Sequence, residues 1–277
     1  LAWNEAFEAA GFKNAIIVKQ MPDDANWDPA DVRYNTVRWI FQPGSGYAVG
    51  PSRANPYTGE LYDADIRISA DFVRGFYRTY TEFVNPIIGP VAMDFEPEEQ
   101  SNEFSSEMCN YGDHLREEMA SAWDLMKTTK KIKGTKQELQ DYIHDGLVDL
   151  VLHEVGHTLG LRHNFKASSI YSIEQLSNPE FTKEHGISGS VMDYQPINIF
   201  DGQTFFQTKP GIYDIWAIEY AYKETTQPEF SEKRFLNKIA SRSTDPLLRY
   251  GTDEDTYGLS TRGIDPHSNA WDLTNDP

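Results

Sequence analysis

Apolar positions recur along this chain at two periods, and those periods predict its helices and strands before any chemistry is considered. Trp3, Phe7 and Ala10 share one helical face, and Gly11 follows as a stop signal. Residues 15–20 (AIIVKQ) and 36–41 (TVRWIF) are short, β-branched and aromatic, which predicts strands on either side of a polar loop over 22–35. A turn-rich stretch, 43–60, leads into 61–69, where Ile66 and Ile68 alternate with Asp65, Arg67 and Ser69 as in a half-buried strand. Phe72, Phe76, Tyr80 and Phe83 then recur at helical spacing until Pro86.

The strongest helical signal runs from about 135 to 160. Thr135 and Glu138 form a capping box, Ile143, Leu147, Leu150 and Val151 supply an apolar stripe, and Gly160 marks the end. Mixed turn and short-helix chemistry follows through 168–181 and 189–196. Pro210-Gly211 opens another helix with Ile215, Ile218 and Tyr222 on one face, and Ser231 caps a further one through Ala240. The Gly-, Pro- and Asp-rich tail, 251–277, is expected to be irregular and tied down by Trp271 and Leu273. No repeat of solenoid period is visible.

Composition narrows the picture. A chain of 277 residues suits one large domain or one domain with subdomains. Twenty-five basic against 43 acidic residues give a net charge of −18, which disfavours nucleic acid and anionic membrane as partners. No apolar run approaches the roughly 18 residues of a membrane span, since 147–152 is short and broken by Asp149. The lone Cys109 excludes an internal disulfide. Residues 96–118 hold eight acids and one Arg, and 127–136 hold five Lys and no acid; both read as solvated helix faces and loops. The chain opens on Leu1 inside a helical pattern, so it reads as a fragment or processed form.

The chemistry concentrates in residues 153–163 (HEVGHTLGLRH). His153 and His157 are four residues apart on the long helix, hence on one face and about 6 Å apart along its axis. Gly160 lets the chain leave the helix in a left-handed conformation and brings His163 back as a third ligand. Three imidazoles leave the fourth tetrahedral position of Zn²⁺ open, as in a catalytic site. Glu154 stands beside the ion without being needed as a ligand, and takes the proton of the activated water as it attacks a carbonyl. A short H-[DE]-x-x-H match arises by chance in about 3% of such chains, whereas the spaced Gly160 and His163 take the odds below about 1 in 10,000.

With the third His, this stretch is the H-E-x-x-H-x-x-G-x-x-H signature of the metzincins, which the chain resembles. The candidate Met-turn is residues 190–194 (SVMDY), with Met192 29 residues after His163. The resemblance implies that Met192 forms a hydrophobic floor under the zinc. It implies that Tyr194 acts like the tyrosine of astacin-like and serralysin-like members, ligating the metal at rest and hydrogen-bonding the transition state. Residues 3–16, 51–69, 153–165, 190–196 and 212–222 look like a family of large bacterial zinc-dependent metalloproteases, mostly secreted or periplasmic, with flanking domains. That resemblance implies an α+β fold. Residues 1–163 would form an upper subdomain with a twisted mixed sheet and the zinc helix, and 164–277 a lower, irregular and helical subdomain. Strand 61–69 would be the sheet edge to which an extended peptide substrate adds. Asn164 matches none of the residues that mark the best-known subfamilies, so no subfamily specificity is implied.

The function expected is zinc-dependent peptide-bond hydrolysis, with Glu154 as general base and Tyr194 assisting, in an extracytoplasmic setting. A catalytically lapsed zinc-bearing binding or adhesin module is the alternative, and a third ligand of the gluzincin type (a Glu in place of His163) is a variant of the enzyme reading. Asp253, Glu254, Asp255, Asp265 and Asp272 are candidate Ca²⁺ ligands, but they lack regular loop spacing and read better as solvated acids.

Overall fold

The computed structural model describes residues 1–41, 48–81, 109–225, 232–258 and 263–276. In chain order its elements are α1 (Asn4–Ala10), β1 (Thr36–Ile40), β2 (Ala48–Val49), β3 (Ser52–Ala54), β4 (Leu61–Ser69), α2 (Asp71–Thr79), α3 (Tyr111–Thr128), α4 (Lys136–Thr158), α5 (Ile173–Leu176), α6 (Pro179–His185), α7 (Ile212–Tyr222), α8 (Glu232–Ala240) and α9 (Asp253–Tyr257). One small mixed sheet followed by a run of helices makes this an α+β fold, as expected. Phe83, Pro86, Ser231 and residues 96–108 of the acidic run lie outside the described residues.

The chain forms two packing units, Val32–Ile143 and Leu1–Asp31 with His144–Pro277, and the second division falls inside α4. The expected subdomains on either side of His163 are a different cut of the chain.

Within Val32–Ile143, β4 is the organising strand. It pairs in parallel with β1, from Thr36 opposite Asp65 to Ile40 opposite Ser69, and antiparallel with β2 and β3 on its other side. The edge position expected for 61–69 is therefore corrected over Asp65–Ser69, where β1 and β2 flank β4; over Leu61–Ala64 the described residues show β3 alone as a partner strand. The buried Ile66 and Ile68 suit the half of the strand that is covered on both flanks. α2 and α3 contribute Phe72, Phe76, Leu115, Met119, Trp123 and Met126, all buried. The Tyr142 ring from α4 packs against Phe76 and Trp123, and its hydroxyl donates to the Met119 carbonyl at 3.0 Å.

The expected strand at 15–20 does not form; Ile17 and Val18 are 71% and 64% exposed. A β-prone run gains stability only through a partner strand, and none pairs with it among the described residues.

In the other unit α1 ends at Gly11 with φ 103°, the left-handed stop its sequence predicts. Phe7 meets Tyr222 of α7 edge-on at 5.1 Å, and the Trp3 indole donates to the Leu152 carbonyl of α4 at 3.0 Å. These side chains share one apolar cluster with Val191, Met192 and Ile218. A second cluster of Ile170, Tyr171, Leu176 and Ile187 is closed by Leu273 from the tail.

Candidate metal centre

α4 starts as its capping box dictates: Glu138 N–H donates to Thr135 Oγ1 at 3.2 Å, and Thr135 N–H to Glu138 Oε2 at 2.8 Å. Toward its other end the helix delivers His153 and His157 on one face, their rings 4.8 Å apart. Gly160, at φ 90°, then turns the chain out of the helix. This brings His163 back to ring distances of 5.4 Å from His153 and 4.8 Å from His157. One ring nitrogen from each of the three lies within 4.8 Å of the others. The position that a gluzincin-type Glu would fill is taken by His163.

The other nitrogen of each ring is committed. His153 Nδ1 donates to the Val191 carbonyl at 2.7 Å, His157 Nδ1 to the Leu161 carbonyl at 3.1 Å, and His163 Nδ1 to Asp253 Oδ1 at 2.8 Å. A carbonyl or carboxylate only accepts, so each Nδ1 carries a hydrogen, and in the neutral ring Nε2 is the nitrogen with the free lone pair. Burial, together with the neighbouring histidines, holds His153 well below the ordinary imidazole range and His157 down to about 4. These two rings are thus neutral at physiological pH, as metal ligation requires. Three ligands on a tetrahedral zinc stand about 3.3 Å apart, given Zn–N bonds of roughly 2.0–2.1 Å, so the cluster needs only a small contraction. The three imidazoles fit zinc.

Glu154 is completely buried beside His153. Met192 is also fully buried, and its sulfur lies against Gly156, between the two helical histidines. A Cβ at residue 156 would overlap the Met192 Sδ and crowd the Trp3 ring at 3.1 Å. The Met-turn thus fits under the helix because that position carries no side chain. The Tyr194 hydroxyl lies 3.1 Å from His163 Nε2. With the His163 imidazole neutral and its hydrogen on Nδ1, the Tyr194 O–H is the donor in this contact. The ring is wedged against Phe165 and Trp271, and Trp271 N–H donates to the Tyr194 carbonyl at 2.6 Å.

Two carboxylates hold this arrangement, and the sequence marks neither as part of a zinc site. Asp214, in the first turn of α7, accepts from Ser190 Oγ at 2.6 Å and from the Val191 and Gly211 N–H groups at 2.8 Å each. Burial pushes its pKa up to about 6 despite those three donors. Since the Val191 carbonyl receives His153, the Met-turn links Asp214 to that ring. Asp253 does the corresponding service for the third. The T-x-x-D box of Thr252 and Asp255 marks the start of α9 in the sequence, but nothing there points to a histidine 90 residues earlier.

The five acids weighed as calcium ligands all have protein partners instead. Asp253 takes His163, Glu254 pairs with Arg162 at 2.6 Å, Asp255 caps Thr252, Asp265 pairs with Lys166 at 2.6 Å, and Asp272 accepts from Ser168 Oγ at 2.6 Å. They act as internal fasteners for the tail, and calcium gains no support.

Three histidines on a helix and its turn, with a buried methionine packed against that helix, make a candidate metal centre of the zincin kind. The family model described as Met-zincin matches residues 135–277, just over half of the chain, and the chain belongs to that family. No curated protein and no solved structure matches it.

Proposed function

We propose that this chain is a zinc-dependent endopeptidase. The observation that carries the reading is the convergence of three Nε2 lone pairs, each fixed by an acceptor on Nδ1, next to a buried glutamate one position along the helix. Bound zinc supplies Lewis-acid polarisation of the scissile carbonyl and makes water acidic enough to lose a proton near neutral pH. Glu154 accepts that proton during attack on the carbonyl carbon and returns it to the leaving amine. The Tyr194 hydroxyl, already a donor in this site, supports the developing oxyanion. Met192 closes the floor and keeps water from the back of the ligands. The substrate is a peptide or protein, and we place the protein outside the cytoplasm, within a larger chain with flanking domains, on its likeness to large bacterial secreted metalloproteases. Among the described residues no helix is long and apolar enough to cross a membrane.

Glu154→Gln tests the mechanism. Zinc content should stay at one ion per chain while hydrolysis of a peptide library falls by at least about 1,000-fold, within the usual 10²–10⁴-fold contribution of a general base. Hydrolysis at the native rate would remove Glu154 from its role. A native, zinc-loaded chain that cleaves nothing in the library would favour the binding-module reading.

A further inference from the structure

We infer that Asp253 is a positioning residue for His163, and that through it the segment around α9 sets how tightly the centre grips its metal. The inference rests on the reading of the three histidines as metal ligands and goes beyond it. His153 and His157 are placed by helix α4 and oriented by backbone carbonyls, those of Val191 and Leu161. His163 has no helix beneath it: the regular structure ends at Thr158, five positions before the ring. Its orientation therefore depends on what holds Nδ1, and the holder is a side-chain carboxylate from 90 residues away.

That carboxylate is itself fixed. Asp253 Oδ2 accepts from Thr252 Oγ1 at 3.1 Å and lies 3.7 Å from the Arg162 guanidinium, which also pairs with Glu254. The backbone just after the ligand is pinned twice: Asn164 N–H donates to the Met192 carbonyl at 2.9 Å, and Phe165 N–H to the Gly251 carbonyl at 2.7 Å. The buried Asn164 side chain completes the tie, donating to the Arg249 carbonyl and accepting from Gly251 N–H. The arrangement is a carboxylate–histidine–metal relay, in which the carboxylate fixes the ring and raises the basicity of the ligating nitrogen. Glu254, Asp255 and Asp265 lie in the same segment but are engaged by Arg162, Thr252 and Lys166 instead.

The test is the zinc dissociation constant of the chain, read by competition with a chromogenic chelator, for the native protein and four variants. His163→Ala should weaken zinc by more than about 100-fold. Asp253→Ala should weaken it about 10- to 100-fold, the usual cost of losing such a partner. Asp253→Asn keeps an acceptor without the charge, and should recover part of that loss. Asp265→Asn, which breaks an ion pair in the same segment, should stay within about twofold. Cobalt substitution gives a readout that a merely structural role would not move: the visible absorption of the Co²⁺ form should shift in Asp253→Asn and not in Asp265→Asn. Native affinity and spectrum in both Asp253 variants, with zinc lost in His163→Ala, would overturn the inference and leave the metal centre standing. Native affinity in His163→Ala would overturn both. Should Asp253→Ala fail to fold, the near-isosteric Asn variant decides the question by itself.

Discussion

Between Val32 and Ile143 the interior is made of large apolar side chains: Phe72, Phe76, Tyr111, Leu115, Met119, Trp123 and Met126 are all buried, and Ser69 and Asp71 are the buried polar residues among those described. Around the histidines the interior is different. Asn164, Ser168, Ser188, Ser190, Asp193, Asn198, Gln207 and Asp214 are buried there beside His153 and Glu154. The reason lies in the backbone. The first region is mostly strand and helix, whose N–H and C=O groups pair with one another. The second runs from Gly160 to Gly211 through short helices and loops, so its backbone groups need side chains as partners. Gln207 Oε1, for example, receives both the Ile187 and Ser188 N–H groups. The candidate site joins two histidines on a packed helix to loops, and its loop side takes its precision from such polar ties.

The contrast can be broken at its strongest tie. Asp214→Ala strands the Ser190 hydroxyl and two buried N–H groups, and should cost about 3–5 kcal/mol in urea unfolding, with a parallel loss of zinc affinity through Val191. The next effect is electrostatic and concerns the metal-free chain. His157 is neutral when folded down to about pH 4 but charges near 6.5 when unfolded, so its contribution is present above pH 6.5 and is lost as pH falls toward 4. Asp214 works in reverse: its folded pKa of about 6 lies above the ordinary carboxylate value of 3.8, so stability falls as pH rises from about 4 to 6. The two oppose each other in one window. Asp214→Asn should therefore show a steeper loss of stability on acidification than the native chain, by up to about 3 kcal/mol between about pH 6 and 4. Identical slopes for the two chains in a pH series of unfolding curves would refute this. Gly156→Ala drives a methyl group into Met192 and should cost about 1–3 kcal/mol, with weaker zinc binding in the same chelator assay. Smallest of all, Met126→Leu in the apolar region conserves volume and should cost less than about 1.5 kcal/mol by thermal unfolding, with no polar group left unpaired.

The parts legible in the sequence are those whose partners are close by. α4 announces itself through Thr135 and Glu138, and the histidines through their fixed offsets; β4 follows its alternation from Leu61 to Ser69. α3 is hidden, because the acids of 96–118 mask Leu115, Met119, Trp123 and Met126, which recur at helical spacing. Residues 15–20 show the opposite failure, a local preference without a neighbour to satisfy it. Whether a strand is internal or at an edge is decided by residues far along the chain, and so are the roles of Asp214 and Asp253. A carboxylate has no pattern of its own; it becomes an outer partner only once folding sets it against a ring or a turn.

The hydrogen bond between His163 and Asp253 also has a consequence in time. A ribosome adding about 5–20 residues per second makes the carboxylate roughly 5–18 s after the imidazole it serves. The His163 ring is therefore locked only after about 90 further residues have been made, whereas the helix bearing His153 and His157 is complete before His163 itself.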